Sequence, residues 1–309
     1  MVEPQPALVV VVGPTAAGKS DRAVELALAL GGEIVSADSM QVYRHFDIGT
    51  GKLPLGERRG VPHHLLDVCD PAERFSAATF VERADSAINA IAKGGRVPVV
   101  VGGTGLYVRA LLKGLFNAPP PDADIRAEHE AQRQAKGLVA LYEWLQEVDP
   151  VSAASINPND FVRISRALEV YQQTGQRIST LRQQHAFACQ RYPALVLGIS
   201  LESEELRARI EARVDGMMAQ GWLDEVRALV AAGYEQTHAM GALGYRQLSQ
   251  HLRGEFDLDE AVRLTKRDTW RFSRRQRNWF SQEAEVNWKP LSVPFEPADV
   301  VARLGELRR

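Results

Sequence analysis

Ala7-Leu8-Val9-Val10-Val11-Val12-Gly13-Pro14-Thr15-Ala16-Ala17-Gly18-Lys19-Ser20 is the stretch from which the rest of the sequence can be read. Its first six residues are apolar and mostly β-branched. They read as a strand buried on both faces, the habit of parallel sheets. From Gly13 to Ser20 the chain satisfies G-x-x-x-x-G-K-[ST] at every fixed position, directly after that strand and at the start of a helix. The physical logic is complete. Glycines let backbone N–H groups curl toward phosphate oxygens, and the helix adds the positive end of its dipole. Lys19 brings a mobile charge, and Ser20 offers a hydroxyl to Mg²⁺. Such a loop takes the diphosphate or triphosphate end of a small substrate. By itself it does not distinguish a nucleotide kinase, an NTPase or a transferase with a pyrophosphate leaving group.

Outward from the loop, Ala23, Leu26, Ala27 and Leu30 recur at helical spacing until Gly31-Gly32 stops them. Glu33 to Ala37 reads as a short strand ending at Asp38, beside the loop's own strand. A helix is expected from Ala77 to Ala92, then a buried strand from Arg96 to Val101 that ends at Gly102-Gly103. Strand and helix alternate as in a doubly wound α/β sheet, which gathers chemistry at the carboxyl edge. Ala118-Pro119-Pro120-Pro121 interrupts this order. Helices alone are expected beyond it, at 125–136, 138–148 and 161–174, before Ala194 to Ile199 returns as a strand. The expected architecture is α/β: a P-loop NTPase-like parallel sheet core, residues 1–118 and 192–309, carrying a helical insertion domain, residues 119–191. The core continues as helices to about Gln282 and closes with a strand near Val286 and a helix over 297–307.

Bulk composition narrows the classes. The chain has 309 residues, 45% hydrophobic and 25% charged, as expected of a folded domain or two. A net charge of −2 excludes a polycation, so any nucleic-acid surface must be a local patch. Cys69 and Cys189 lack CxxC spacing, which leaves neither a zinc site nor a disulfide framework. Met1 to Pro6 lacks the basic start of a signal peptide, and Ala7 to Val12 is too short to span a bilayer. A cytoplasmic protein without membrane attachment is expected. His63 and His64 are adjacent, so on a strand they point to opposite faces and cannot share a metal. Trp144, Trp222, Trp270, Trp279 and Trp288 are expected in cores rather than as stacking platforms.

Three further segments carry chemistry. In Ser36-Ala37-Asp38-Ser39-Met40-Gln41-Val42-Tyr43-Arg44, the strand-end carboxylate of Asp38 can be a Mg²⁺ ligand, a general base or a cap. In Val99 to Tyr107 a strand runs into Gly102-Gly103-Thr104-Gly105, which brings backbone and a hydroxyl to the same sheet edge. Between Lys266 and Arg277 stand six Lys or Arg and one Asp. Arg267, Arg271 and Arg274 share one helix face there, and Phe272 and Trp279 another. So few acidic partners point to contact with a phosphate backbone.

The strings Gly13 to Ser20, Ser36 to Arg44, Pro62-His63-His64-Leu65-Leu66 and Gly102 to Tyr107 together resemble the tRNA dimethylallyltransferase (tRNA isopentenyltransferase) family. So do Asn159-Asp160 with Arg163 to Val170, Gly244-Tyr245-Arg246-Gln247, and Arg274 to Phe280. The likeness runs in order over essentially the whole chain. It implies transfer of a dimethylallyl group from its diphosphate to N6 of the adenosine immediately 3′ of the anticodon, in tRNAs that read codons beginning with U. Gly13, Pro14, Thr15, Ala16, Ala17, Gly18, Lys19, Ser20 and Arg213 would then hold the diphosphate, with Mg²⁺ on Ser20. Asp38 would take the proton from N6, Lys19 would neutralise the departing pyrophosphate, and Thr104 would contact the reacting atoms. The base would be extruded into a channel that Asp38, Ser39, Met40 and Gln41 line. Arg126, Val162, Arg163, Ile164, Ser165, Arg166, Tyr245, Arg246, Arg271 and Arg274 complete the implied RNA contacts. Val162 stands where the family often has glutamine, and Gly241 where it often has a basic residue. The implied partners are a tRNA anticodon stem-loop and dimethylallyl diphosphate, with no protein partner and a monomeric chain. A small-molecule P-loop kinase, a prenyltransferase acting on free AMP or ADP, and a non-catalytic RNA-binding P-loop switch are the alternatives.

Overall fold

The structure is a computed structural model and describes residues 5–116, 118–185 and 190–307. Cys189 and residues 1–4 lie outside the described residues. The chain divides into two compact units, Met1–Leu112 with Arg191–Arg309, and Lys113–Gln190. The first boundary falls six residues before the expected one, because the chain leaves the core at the end of a helix and not at the proline run.

The larger unit is built on a six-stranded parallel sheet. In chain order its strands are β1 (Leu8–Val12), β2 (Gly32–Ser36), β3 (His63–His64), β4 (Val97–Gly102), β5 (Ala194–Ser200) and β6 (Asn287–Pro290). Across the sheet they run β3-β2-β4-β1-β5-β6. This corrects one expectation. The strand that ends at Asp38 is not beside the P-loop strand, because β4 lies between them. Gly102-Gly103 therefore sits centrally, with the P-loop on one side and Asp38 on the other. The edge strand β3 is two residues long and left no period to read. It puts His64 Nε2 2.6 Å from Glu33 Oε2, a hydrogen bond between neighbouring strands.

The strands are apolar on both faces because both faces are covered. Val9, Val11, Val99, Leu195 and Leu197 pack under α1 (Lys19–Leu30) and α12 (Pro297–Leu307). Leu8, Val10, Val35, Val100 and Val196 pack under α2 (Ala77–Lys93) and α3 (Gly105–Lys113). The helix α3 follows the Gly102 to Gly105 turn. Tyr107, Val108, Leu111 and Leu112 form its buried face, a helical period beyond the expected elements. A third cluster joins Val42, Tyr43 and Phe46 to α8 (Ser203–Ala219), α9 (Trp222–Ala231) and α10 (Tyr245–Leu252) through Val214, Met217, Trp222, Val226 and Tyr245. The basic segment lies on α11 (Leu258–Phe280), whose N-cap Asp257 accepts from Glu260 N–H.

The smaller unit is helical: α4 (Ala123–Val148), α5 (Pro150–Ser155), α6 (Phe161–Thr174) and α7 (Ile178–His185). Gly137 interrupts α4 with φ 79° and ψ 166°, which separates the two helices expected on either side of it. Leu141, Leu145, Ile156, Ile164, Leu168 and Ile178 form its core. Buried Asp149 caps α5. It accepts from the backbone and hydroxyl of Ser152 and also of Ser179. Burial pushes its pKa up, but the four hydrogen bonds outweigh that and hold it below the ordinary value.

Candidate active site

The P-loop backbone begins where β1 ends. Ala17 N–H returns to Pro14 O at 3.3 Å. Ala16 has φ 63° and Gly18 φ 76°, the left-handed turns that swing amides toward one centre. Lys19 Nζ donates to Pro14 O at 2.6 Å, and Arg209 Nε to Ala16 O at 2.9 Å. Lys19 is desolvated, has Arg213 as a cationic neighbour, and is opposed by Asp38; together these bring its pKa down to about 8. Arg213 is lowered by burial too, with Asp38 and Asp21 opposing. Two desolvated cations and a carboxylate thus form one electrostatic cluster.

Arg213 reaches that cluster because of a glycine. A Cβ on Gly51 would stand 1.8 Å from Arg213 Nη2, and Gly51 has φ 62°. Any side chain there would displace the guanidinium. The loop carrying Gly51 is clamped by Glu225 on α9. Its carboxylate accepts from the successive N–H groups of Asp47, Ile48 and Gly49 at 3.0, 2.7 and 3.3 Å, and from the Tyr245 hydroxyl. Neither Glu225 nor Lys52, which binds Tyr43 O, Asp47 and Asp67, was anticipated from sequence. A lone carboxylate or lysine carries no local pattern that reveals such contacts.

Two cavities meet at this cluster. One, about 870 Å³, is lined by Ala16 to Asp21, the 47–58 loop, Arg209 and Arg213. The other, about 310 Å³, is lined by Thr15, Asp38, Ser39, Met40, Thr104, Trp222, Tyr245, Phe272 and Arg275 among others. Arg213 and Met217 border both. Lys19 therefore lines the larger cavity and Asp38 the smaller, with Arg213 between them on both.

Asp38 does two things. Its Oδ1 accepts from Met40 and Gln41 N–H at 2.8 and 3.3 Å, which is a capping role. Among the described residues Oδ2 has no hydrogen-bond partner, so one oxygen stays available to the cavity. Thr104 Oγ1 accepts from Ser39 N–H at 3.1 Å and donates to Ser39 Oγ at 3.3 Å. It fixes the turn that aims Asp38. Gln41 does not line the cavity. It accepts from Ser36 Oγ and donates to the carbonyls of Thr50 and Gly51, tying the turn to the clamped loop.

The expected RNA residues divide by burial. Tyr245 is buried against Glu225 but lines the smaller cavity. Arg246 is half exposed beside Asp268. The sequence reading of α11 as nearly free of acidic partners is corrected. Asp268 takes Arg267 at 2.9 Å and Arg271 at 3.5 Å, and Asp215 takes Lys266. Arg274 is exposed. Arg275, outside the face shared by Arg267, Arg271 and Arg274, lines the smaller cavity with its guanidinium 5.7 Å from the Phe272 ring centre.

In the helical unit, Val162 is 75% exposed and Arg163 is exposed beside Asp160. Ile164 belongs to the core, and Ser165 is buried against His129 Nδ1 at 2.8 Å. These two cannot meet RNA without unpacking the helix. Arg126 and Arg166 both engage Glu169, whose side chain is 0% exposed, and Arg166 also donates to Pro119 O. Burial raises the Glu169 pKa, but bonds from Arg166 and Arg126 outweigh it and leave it lowered. The two arginines and Glu169 thus form a fixed trio whose net charge is one positive unit.

Among the described residues no group of three or more His, Cys, Asp or Glu could hold a metal. Ser20 fits Mg²⁺ in the other common way. Mg²⁺ uses few protein ligands and completes its shell with substrate phosphates and water, and Ser20 lines the larger cavity beside Lys19. Among the described residues no helix is long and apolar enough to cross a membrane.

Residues 41–283 match a family profile described as IPP transferase, and residues 6–66 one described as isopentenyl transferase. A tRNA dimethylallyltransferase of Geobacter metallireducens is 52% identical over 290 residues, 94% of each chain. The crystal structure of the full-length tRNA isopentenylpyrophosphate transferase of Bacillus halodurans is 38% identical, with a TM-score of 0.72 over 98% of each chain. A eukaryotic dimethylallyltransferase acting on tRNA, 27% identical, superposes with a TM-score of 0.76 over 93% of this chain and 74% of its own.

Proposed function

The chain belongs to the IPP transferase family, and on that premise we propose that it transfers a dimethylallyl group from dimethylallyl diphosphate to N6 of the adenosine 3′ of the anticodon, in tRNAs that read codons beginning with U. The observation that carries this reading is the junction of the two cavities at Lys19, Arg213 and Asp38. A diphosphate in the larger cavity meets two desolvated cations. An amine arriving through the smaller one meets a carboxylate with a free oxygen. The N6–C1 bond forms as the C1–O bond breaks, and that electron pair leaves on the diphosphate. The N6 proton passes to Asp38.

Charge decides the division of labour. Pyrophosphate gathers negative charge as C1–O breaks, and Lys19 and Arg213, two desolvated cations, line the cavity proposed to hold it. The N6 lone pair is delocalised into the purine, so attack strengthens as its proton moves to Oδ2. Mg²⁺ on Ser20 would supply further charge neutralisation of the diphosphate. The base must leave its stack to reach this point. Phe272 and Arg275 at the smaller cavity offer an aromatic ring and a guanidinium for it to meet. Arg163, Arg271 and Arg274 are proposed contacts to the RNA backbone, and the site is proposed to work in the cytoplasm.

The test offers dimethylallyl diphosphate and Mg²⁺ with one acceptor at a time: an anticodon stem-loop with adenosine 3′ of the anticodon, the same with guanosine, free AMP, or free ADP. Prenylation of the adenosine stem-loop alone is expected. Guanosine lacks the N6 amine, and free nucleotides lack the binding energy that orients the base. Equal kcat/KM for AMP and the stem-loop would replace this reading with a free-nucleotide prenyltransferase. Phosphoryl transfer from ATP without prenylation would replace it with a kinase.

The basic helix gives a second test. Reversing Arg271 and Arg274 to Glu should weaken stem-loop binding and flatten its salt dependence by about 0.7 per lost phosphate contact. Arg274 should account for more of this than Arg271, which Asp268 already partly neutralises. Dimethylallyl diphosphate affinity should not move. An unchanged salt slope would leave that face merely solvated.

A further inference from the structure

We propose that Gln276 is a positioning residue for the transfer, an amide that sets the spacing between the phosphate loop and the strand end that aims the base. The inference rests on the prenyl-transfer reading of the same site. Gln276 lies on the inner side of α11 and is 7% exposed. Its Oε1 accepts from Thr15 N–H at 2.8 Å, and its Nε2 donates to Gly103 O at 2.9 Å. The backbone partners fix the amide's orientation, since an N–H can only donate and a carbonyl can only accept. One side chain thus spans the two segments that the chemistry must hold in register.

The residue type is dictated by those partners. A carboxylate would turn an acceptor toward Gly103 O. A lysine or arginine would turn a donor toward Thr15 N–H. Asparagine is one methylene short. The partner strand end is shaped to match: a Cβ on Gly103 would stand 2.2 Å from Gln276 Nε2.

The consequences run to both reactants. Thr15 N–H is engaged by the amide, so the phosphate cradle is left to the residues that follow it. Thr104 comes directly after Gly103, holds the Ser39 turn through its hydroxyl, and donates its own N–H to Ala37 O at 3.4 Å. That turn carries Asp38. Gln276 therefore relates the loop bearing Lys19 to the turn bearing Asp38, across the strand order that keeps them one strand apart. The same helix presents Arg275 to the smaller cavity and Arg274 to the surface, so the acceptor's docking surface and the diphosphate loop share one rigid frame. Errors of about an ångström in such a frame reduce rate steeply without loosening binding.

The experiment compares full-length wild type, Gln276→Met and Gln276→Glu, with dimethylallyl diphosphate, Mg²⁺ and the adenosine stem-loop. Prenylation by wild type is the check on the functional reading. Its absence would sink that reading and leave the role of Gln276 in this chain refuted with it. With wild type active, Gln276→Met should lower the single-turnover rate at saturating substrates by about tenfold to a hundredfold. The stem-loop Kd should stay near the wild-type value. Gln276→Glu gives a readout that packing alone would not move. Ionised, it repels Gly103 O; protonated, it donates again. Its rate relative to wild type should rise severalfold as pH falls from about 9 to about 6, because a carboxyl facing a carbonyl in a buried site titrates above its ordinary range. This ratio decides the matter even if Gln276→Met fails to fold. A ratio flat with pH, wild-type rates in both variants, or a loss seen only in stem-loop Kd would overturn the proposal.

Discussion

Asp38→Asn is expected to lower the single-turnover prenylation rate by about 10²–10⁴-fold, the usual cost of losing a general base. The structure makes this substitution unusually clean. Oδ1 of Asp38 caps the turn by accepting from Met40 and Gln41, and an asparagine carbonyl can do the same. What changes is Oδ2, which becomes an amide that cannot take a proton from N6. The turn, the cavity and both substrate affinities should survive. Asp38→Ala removes the cap as well and should add a stability loss of about 1 kcal/mol. An Asp38→Asn enzyme within a few-fold of wild type, measured by single-turnover prenylation, would reduce Asp38 to its capping role.

Lys19→Ala is the second large effect. It removes a charge-assisted contact worth about 1.5–3 kcal/mol, or roughly tenfold to a hundredfold, and more where charge develops in the transition state. The loss should appear in dimethylallyl diphosphate kcat/KM, with stem-loop Kd nearly intact. The lysine also predicts a pH signature. Burial and Arg213 bring its pKa down to about 8 against the pull of Asp38. In the free enzyme it is therefore protonated below about 8 and loses its charge above. A bound diphosphate favours the charged form, so wild-type affinity should fall as pH rises through that value. Lys19→Ala should lack that fall. Calorimetric titration of dimethylallyl diphosphate at several pH values reads both, and an identical pH profile in the two proteins would assign the titration elsewhere.

The helical insertion shows where motif matching and burial part company. The segment Val162 to Arg166 resembles an RNA-contacting stretch, but a helix presents only about a third of such a run to any one side. Ile164 and Ser165 face the unit's core, and Arg126 and Arg166 share the buried charge of Glu169. Arg163 is the arginine of the run whose guanidinium is left at the surface, beside Asp160. The residue-by-residue likeness carries position along the chain. It carries nothing about direction.

By itself the sequence determined the local and the periodic. Gly13 to Ser20, placed between a β-branched run and a helical period, established the phosphate loop and with it the α/β class. The loss of strand patterning after the proline run at 119–121 led to the expectation of a helical insertion, with its first two helices at 125–136 and 138–148. These features are legible because each depends on neighbours a few residues away, in turn geometry, strand alternation or helical spacing. Tertiary structure alone decided what joins distant segments. The sheet order put β4 between the loop's strand and Asp38. Glu225 found three backbone amides some 176 to 178 residues away, and Gln276 bridged Thr15 and Gly103 from α11. A side chain that satisfies backbone groups on a remote loop has no spacing to betray it. Its partners exist only once the chain has folded, which is why the groups that hold the site together were hidden while the groups that name its chemistry were not.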